Sequence, residues 1–240
     1  MAMDPKELNK ILEKHRRWLR GLPGGKEADL EDADLRGADL RFVNLEGVFM
    51  RHADLEGADL YKANLRDADL YGANLTNAQL VHTNLMGANL TFANLRDANL
   101  EWANLYYATL TQVRNIDTVR WNIHTEFFQL QCPATGAFVG YKWADNCLVK
   151  LEICEDALRS SSTSRKCRCS KAKVLEIVDG YTGEQRKHAR SDWDYNFVYE
   201  VDKILEVENF DKNRWNECAP GIHFFITKEE ARKYADPQVW

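Results

Sequence analysis

Six cysteines, all beyond residue 130, and six histidines are the scarce reactive side chains of this 240-residue sequence. The tightest grouping is Cys167-Arg168-Cys169 with Cys218 and His223. Thiolates and an imidazole in that number are a zinc donor set. The spacing argues against metal, because C-x-C is rarer than C-x-x-C and the second half is C-x4-H. Buried thiols in a reducing compartment account for the cysteines, and no cofactor is expected. Cys218 and His223 also have the chemistry of a nucleophile and its base. Pro220-Gly221 marks a turn beside Cys218. Alternation puts His223 on the opposite face from Ile222 and Phe224, facing a pocket or satisfied in the core. Glu217 and Arg214 are further polar neighbours.

A second grouping is basic. Arg165, Lys166, Arg168, Lys171 and Lys173 follow a serine-rich stretch, Ser160–Ser164. A polar loop beside such a cluster grips phosphate, and with His223 it is the candidate ligand site. The competing reading is a solvated loop. No Gly-rich phosphate loop, G-x-S-x-G or H-E-x-x-H occurs, so the sequence leans away from an enzyme.

These residues need a scaffold. Residues 137–143 and 147–153 read as strands around Asp145-Asn146, and Lys173–Val178 as another turning at Asp179-Gly180. Phe197–Val201 and Ile204–Val207 read as a hairpin, and Ile222–Ile226 as a last strand. Thr227 with Glu230 is a capping box for a helix through Ala235. This predicts a separate α+β domain over residues 133–240.

Residues 28–112 behave differently. Leucine recurs every fifth residue from Leu30 to Leu110, sixteen times in seventeen, with Met50 the exception. A small residue stands two before each: fourteen Ala, with Val43, Val48 and Thr83. Between them lies Asp or Asn in fourteen cases, giving A-[D/N]-L-x-x. A period of 5 fits neither helix nor long strand. Residues two apart in an extended segment share a face, so Ala and Leu point inward and the x residues turn the corner. At a spacing of twenty, Glu31 lies over Arg51, Arg36 over Glu56 and Glu46 over Arg66, while Asn44, Asn64, Asn84 and Asn104 form a ladder. Four pentads per coil follow.

This pattern resembles the pentapeptide-repeat family. The resemblance implies a right-handed quadrilateral β-helix of about four coils, roughly 20 Å long at ordinary strand spacing. The chain is therefore expected to be mainly β. GYK (Gly140–Lys142), RKCRCSKAKV (Arg165–Val174) and RWNECAPGIHFFITKEEA (Arg214–Ala231) resemble a C-terminal module of unassigned activity attached to pentapeptide repeats in phage and bacterial proteins.

The ends need covering. Asp4, Pro5 and Glu7 open a helix within residues 1–27 whose Leu8, Ile11, Leu12, Trp18, Leu19 and Leu22 share a face. Lys10, Lys14, Arg16, Arg17 and Arg20 take the other face, and the segment reads as a cap. Residues 113–132, with Trp121, Phe127 and Phe128, read as the far end cap and linker.

Charge divides the same way. The net −5 is +3 over residues 1–27, −7 over 28–112 and −1 over 113–240. Family members that resemble a DNA rod bind type II topoisomerases, so the resemblance implies a partial DNA mimic and a DNA-processing enzyme as partner. Seven charges over roughly 20 Å is one per about 3 Å, against one per about 1.7 Å in duplex DNA. The sign excludes direct DNA binding by the rod. Phe42, Lys62, His82 and Trp102 stack outward at twenty-residue spacing and are candidate protein contacts. Phe92 and Tyr107 are also outward, and cover by the second module competes with a partner at Trp102, Tyr106 and Tyr107. No run suits a membrane span and the N-terminus is too charged for a signal peptide, so a cytoplasmic protein of a bacterial host cell is expected. The reading that results is a non-enzymatic interaction protein. Its alternative is a C-terminal domain that binds or acts on a small phosphorylated, nucleotide-like ligand, as a phage counter-defence factor.

Overall fold

A computed structural model describes residues 2–216 and 219–235. Two compact units emerge, Met1–Gln129 and Leu130–Trp240. The fold is mainly β, with a helix near each end of the described chain.

In the first unit the pentad's central residue bridges its equivalent twenty positions on, in parallel, from Asp29–Phe49 to Asn94–Arg114. Ala and Leu point inward; every repeat leucine is almost wholly buried, as are the small residues from Val48 on, while Ala33, Ala38 and Val43 of the first coil are partly buried. Coils are joined through backbone pairs such as Leu55 N–H to the Asn74 carbonyl at 2.8 Å and Asn74 N–H to the Ala53 carbonyl at 2.9 Å. Each corner closes locally, as where Ala58 N–H donates to the Leu55 carbonyl at 3.0 Å. The second x residue is left-handed even where it is bulky, with φ 60° at Phe42 and 62° at Trp102.

The Asp/Asn position does two jobs. Its Oδ1 accepts the backbone N–H two residues on, as at Asp54 from Glu56 at 3.2 Å, which fixes the corner. An Asn also donates to the coil before it: Asn64 to Asn44 at 2.8 Å, Asn84 to Asn64 at 2.9 Å, Asn104 to Asn84 at 3.4 Å. Stacked Asp residues lack that donor and would repel. Arginine supplies the remedy: Arg36 reaches Asp34 at 2.6 Å and Asp54 at 3.4 Å, and Arg41 reaches Asp39 at 2.6 Å and Asp59 at 3.7 Å. The expected Glu–Arg neighbours act through space, Glu31 on Arg51 and Glu56 on Arg36, while the direct ion pairs go to Asp, Arg51 to Asp69 and Arg66 to Asp67. The Arg41 guanidinium pulls the Asp39 carboxyl down to about 2.

The coil outlives the period. Beyond Gln112, Arg120 bridges Asn99 and Glu126 bridges Asn104, offsets of twenty-one and twenty-two. Val119 and Thr125 take the inward small positions. The buried hydroxyls of Thr83 and Thr125 donate to the Leu60 and Leu100 carbonyls at 2.7 and 2.9 Å, so neither is left unsatisfied.

At the other end, helix α1 (Pro5–Leu19) starts where the Asp4 carboxylate accepts from the N–H groups of Lys6 and Glu7. Its buried residues are Leu8 and His15. Trp18 and Leu22, predicted inward, are exposed, and Trp18 lies flat against the His15 ring. His15 Nδ1 accepts the Ala28 N–H at 3.1 Å, and Met3 N–H donates to the Asp34 carbonyl, fastening the helix to the first coil.

The second unit contains three antiparallel sheets. β1 (Phe138–Ala144) and β2 (Cys147–Ile153) form a hairpin whose Asp145 and Asn146 are both left-handed. β5 (Lys171–Asp179) and β8 (Ile204–Glu206) extend it in the order β1-β2-β5-β8. β3 (Arg159–Ser161), β4 (Cys167–Cys169) and β9 (Ile222–Phe224) make the second sheet. β6 (His188–Arg190) pairs with β7 (Val198–Glu200). Helix α2 (Lys228–Ala235) opens on the expected capping box, with Thr227 N–H to Glu230 at 3.1 Å and Glu230 N–H to Thr227 Oγ1 at 3.2 Å.

The predicted hairpin of residues 197–207 does not form. Left-handed Asp202 turns the chain so that β7 stays with β6 while β8 joins β5. The serine-rich stretch is not a flexible loop either: Ser160, Ser161, Ser162, Thr163 and Ser164 are all buried. Gly140 lets the sheets close, because a Cβ there would come within 2.6 Å of the Phe224 ring.

Two outcomes follow. Leu70→Ala should cost about 2–5 kcal/mol in denaturant unfolding of the rod, the loss typical of a fully buried leucine. Burial lowers the His15 pKa below its ordinary 6.5. The unfolded state then binds more protons, so helix docking should weaken as pH falls below about 6.5. Amide exchange in α1 measured from pH 7.5 to 5 should accelerate beyond the intrinsic pH trend, and His15→Gln should remove the excess.

Candidate functional site

The second unit has a cleft of about 800 Å³. That lies within the range that takes a small ligand. Lys142, Lys166, His223 and Tyr234 line it, and Asp194, Glu206 and Glu208 add acidic groups. Trp193, Phe197 and Tyr199 supply aromatic surface.

Lys142 sits on β1 between Gly140 and Ala144, whose shared parity faces the sheet's buried side. Burial pushes its pKa down to about 8, with Asp192 opposing and Lys166 reinforcing that drop. Asp192 accepts the Asp145 N–H at 2.9 Å. Lys166 precedes β4, and its ammonium lies 3.3 Å from the Tyr234 hydroxyl and 5.2 Å from that ring's centre. His223 leaves the core exactly as alternation requires: Ile222 and Phe224 are buried, while His223 and Gly221 line the cleft.

The other predicted ligand residues are committed elsewhere. Arg165 pairs with Glu230 at 2.6 Å and also donates to Gln131. Arg168 is buried, donating to the carbonyls of Pro220 and Asn213 and lying over the Phe210 ring. Lys171 pairs with Asp156 at 2.7 Å, and Lys173 lies 3.8 Å from Asp202. Of the basic cluster, the structure brings Lys166 to the cleft with His223. Lys142 was missed, although its parity with Gly140 and Ala144 is a signal in the sequence.

The metal reading fails on register. Cys167 pairs opposite Phe224 and Cys169 opposite Ile222, so both thiols face the core. His223 pairs opposite Arg168 and faces the other side. Among the described residues no His, Cys, Asp or Glu cluster could hold a metal ion. Burial pushes the Cys169 thiol up to about 12, away from a thiolate ligand. Cys218 and Glu217 lie outside the described residues, so the nucleophile pair is represented by His223 alone.

The first unit offers a surface. Phe42 meets Tyr61, Tyr61 meets His82, His82 stacks on Trp102, and Trp102 stacks on His124 at 3.8 Å. Lys62 lies over the Tyr61 ring. Phe42 is 67% exposed and Trp102 45%. Within the unit, the rod's own continuation supplies neighbours: His124 covers one side of Trp102, and Phe127 stacks on Tyr106.

Residues 26–114 match the model for pentapeptide repeats in three stretches, 26–51, 50–85 and 83–114. The rod is a pentapeptide-repeat segment. Residues 128–231 match a family of unknown function (DUF5758). No curated protein matches the chain. Among solved structures, a pentapeptide repeat protein of the Arabidopsis thaliana thylakoid lumen is 34% identical, over 36% of this chain and 61% of that one, with a TM-score of 0.35. One from the cyanobacterium Cyanothece is 32% identical, over 41% and 63%, with a TM-score of 0.27. One from Nostoc is 28% identical, over 46% and 84%, with a TM-score of 0.18. The chain thus spans under two thirds of the first two relatives.

Lys142 carries a stability signature. Between pH 8 and its ordinary 10.5 the folded state has released a proton that the unfolded state keeps, so stability should rise with pH across that window. Lys142→Met should stabilise the unliganded protein at pH 7 by about 1–3 kcal/mol. Denaturant midpoints of both proteins at pH 7 and 10 check this, and the difference should shrink at pH 10.

Proposed function

We propose that this is a non-enzymatic binding protein whose pentapeptide-repeat rod is a rigid scaffold for a protein partner. We read the rod as a right-handed quadrilateral β-helix of about four coils, extended by the aperiodic turn after Gln112. The observation that carries the proposal is the aromatic column from Phe42 through Tyr61 and His82 to Trp102, partly exposed along one edge. Exposed aromatic side chains held in register supply contact area at little entropic cost.

The partner we favour is a DNA-processing enzyme, to which the rod is a partial mimic of DNA. The mimicry is shape more than charge. Arg36, Arg41, Arg51 and Arg66 each bond an Asp of the rod, which lowers the acid on offer to a partner.

A second reading is favoured by Lys142, Lys166 and His223 in the cleft. In it the second unit binds or acts on a small phosphorylated, nucleotide-like ligand, as a phage factor countering a host nucleotide signal in the bacterial cytoplasm would.

A type II topoisomerase supercoiling assay tests the first reading. Inhibition is expected at micromolar protein, and it should fall at least tenfold in the double variant Phe42→Ser, Trp102→Ser. Unchanged supercoiling at micromolar wild-type protein would remove the mimic. Inhibition that the double variant retains would remove the aromatic edge from the explanation.

A further inference from the structure

The cleft has two chemically different ends. At one, Lys142 and Lys166 line the cleft together, and the Lys166 charge adds to the burial that disfavours the charged form of Lys142. Among the described residues neither is in an ion pair with a carboxylate. Asp192 acts on Lys142 only through space, and Lys166 has the neutral Tyr234 hydroxyl. A buried Lys142 ammonium that feels the Lys166 charge, in a cleft that His223 also lines, is unfavourable until an anion joins it.

The other end is acidic. Glu206 lies on β8 and Lys142 on β1, the two edge strands of the four-stranded sheet. They are therefore separated by the width of that sheet while lining one cleft. Glu208 follows Glu206 along the chain and lines the cleft as well. Glu206 pairs in register with Lys171, and its charge acts through space on that ammonium, which is bonded to Asp156. Carboxylates so placed accept hydrogen bonds from hydroxyl or amino groups.

Aromatic surface lies among the lining residues. Trp193 is 84% exposed although it lines the cleft, and its turn is set by the Ser191 hydroxyl, which accepts the Trp193 N–H at 3.3 Å. A large ring left open on a ligand-sized cleft is a stacking platform.

We propose that the cleft binds a nucleotide lengthwise, with its phosphate at Lys142, Lys166 and His223, its base on Trp193, and its hydroxyl or amino donors at Glu206 and Glu208. This rests on the second reading above and adds the orientation of the ligand and the chemistry of its far end. A simple phosphate would use only one end of the cleft.

Calorimetric titration of the full chain tests it, with the four ribonucleoside monophosphates, adenosine, glycerol 3-phosphate and inorganic phosphate as probes. At least one mononucleotide should bind at micromolar concentration, with adenosine and glycerol 3-phosphate each at least tenfold weaker. Lys142→Met should weaken the mononucleotide at least tenfold and leave adenosine unchanged, whereas Lys142→Arg, which keeps the charge, should retain most of the binding. Glu206→Gln with Glu208→Gln, and separately Trp193→Ala, should weaken the mononucleotide and spare glycerol 3-phosphate. Near-ultraviolet circular dichroism of each variant confirms the fold. Glycerol 3-phosphate or inorganic phosphate binding as tightly as any mononucleotide would overturn the orientation and leave the phosphorylated-ligand reading standing. No binding of any probe at millimolar concentration would overturn both.

Discussion

The rod depends on one backbone requirement: every corner must place its second outward residue in the left-handed region. All seventeen pentads from Ala28 to Gln112 meet it, with glycine at five and larger residues at the rest. For a residue with a Cβ this conformation costs about 1–2 kcal/mol. The cost is offset by what the corner makes possible. With the chain turned every five residues, each leucine N–H from Leu30 to Leu105 meets a carbonyl of the next coil, and each leucine side chain is removed from water. The requirement also has a consequence outside the tube. Corner residues one coil apart stand over one another, so Phe42, His82 and Trp102 share a column with Tyr61 because the backbone leaves them no other place. The surface with the best claim to a partner is thus a by-product of the geometry that builds the core.

Stacking also explains which charges are internal. A carboxylate over a carboxylate is tolerable only with a donor between them, and Arg36 and Arg41 each sit across such a pair. Glu31 and Glu56, which sequence spacing matches with Arg51 and Arg36, act on them through space, whereas the direct ion pairs go to Asp69 and Asp34. The shorter Asp is already fixed by its turn and presents its second oxygen to the guanidinium at little further cost in side-chain entropy. Pattern alone could pair the charges by position. It could not decide which of two nearby acids is the better held.

The same limit runs through the second unit. The hairpin at Asp145-Asn146 is legible because its turn residues tolerate the left-handed backbone it needs. The capping box at Thr227 is legible because both halves of it lie within four residues. Strands β3 and β4 were not, since a run of serines reads as solvent-exposed until other chain segments bury it. Nor was the parting of β7 from β8, decided by long-range pairing with β6 and β5. In the first unit the aperiodic final turn escapes the five-residue pattern because one side carries an extra residue and then another does, although Val119 and Thr125 still fill the inward positions.

Lys142 shows how local pattern and tertiary placement combine to mark a site. Within Gly140–Ala144 the inward parity is small residue, lysine, small residue, and a lysine there conflicts with a core whose other strands present Val149 and Ile177 in the same row. A solvated surface would make that conflict harmless, and an ion pair would resolve it. In the rod, Arg36, Arg41, Arg51 and Arg66 each have an Asp partner. Lys171 and Lys173 are likewise answered by Asp156 and Asp202. At Lys142 the fold instead keeps the amine at the wall of a cleft, beside a second cation, at a cost in stability. Asp192 offsets that cost only through space, and proteins hold such incompletely paired charge where something outside the chain completes it. The anion proposed for the cleft completes the two ammonium groups.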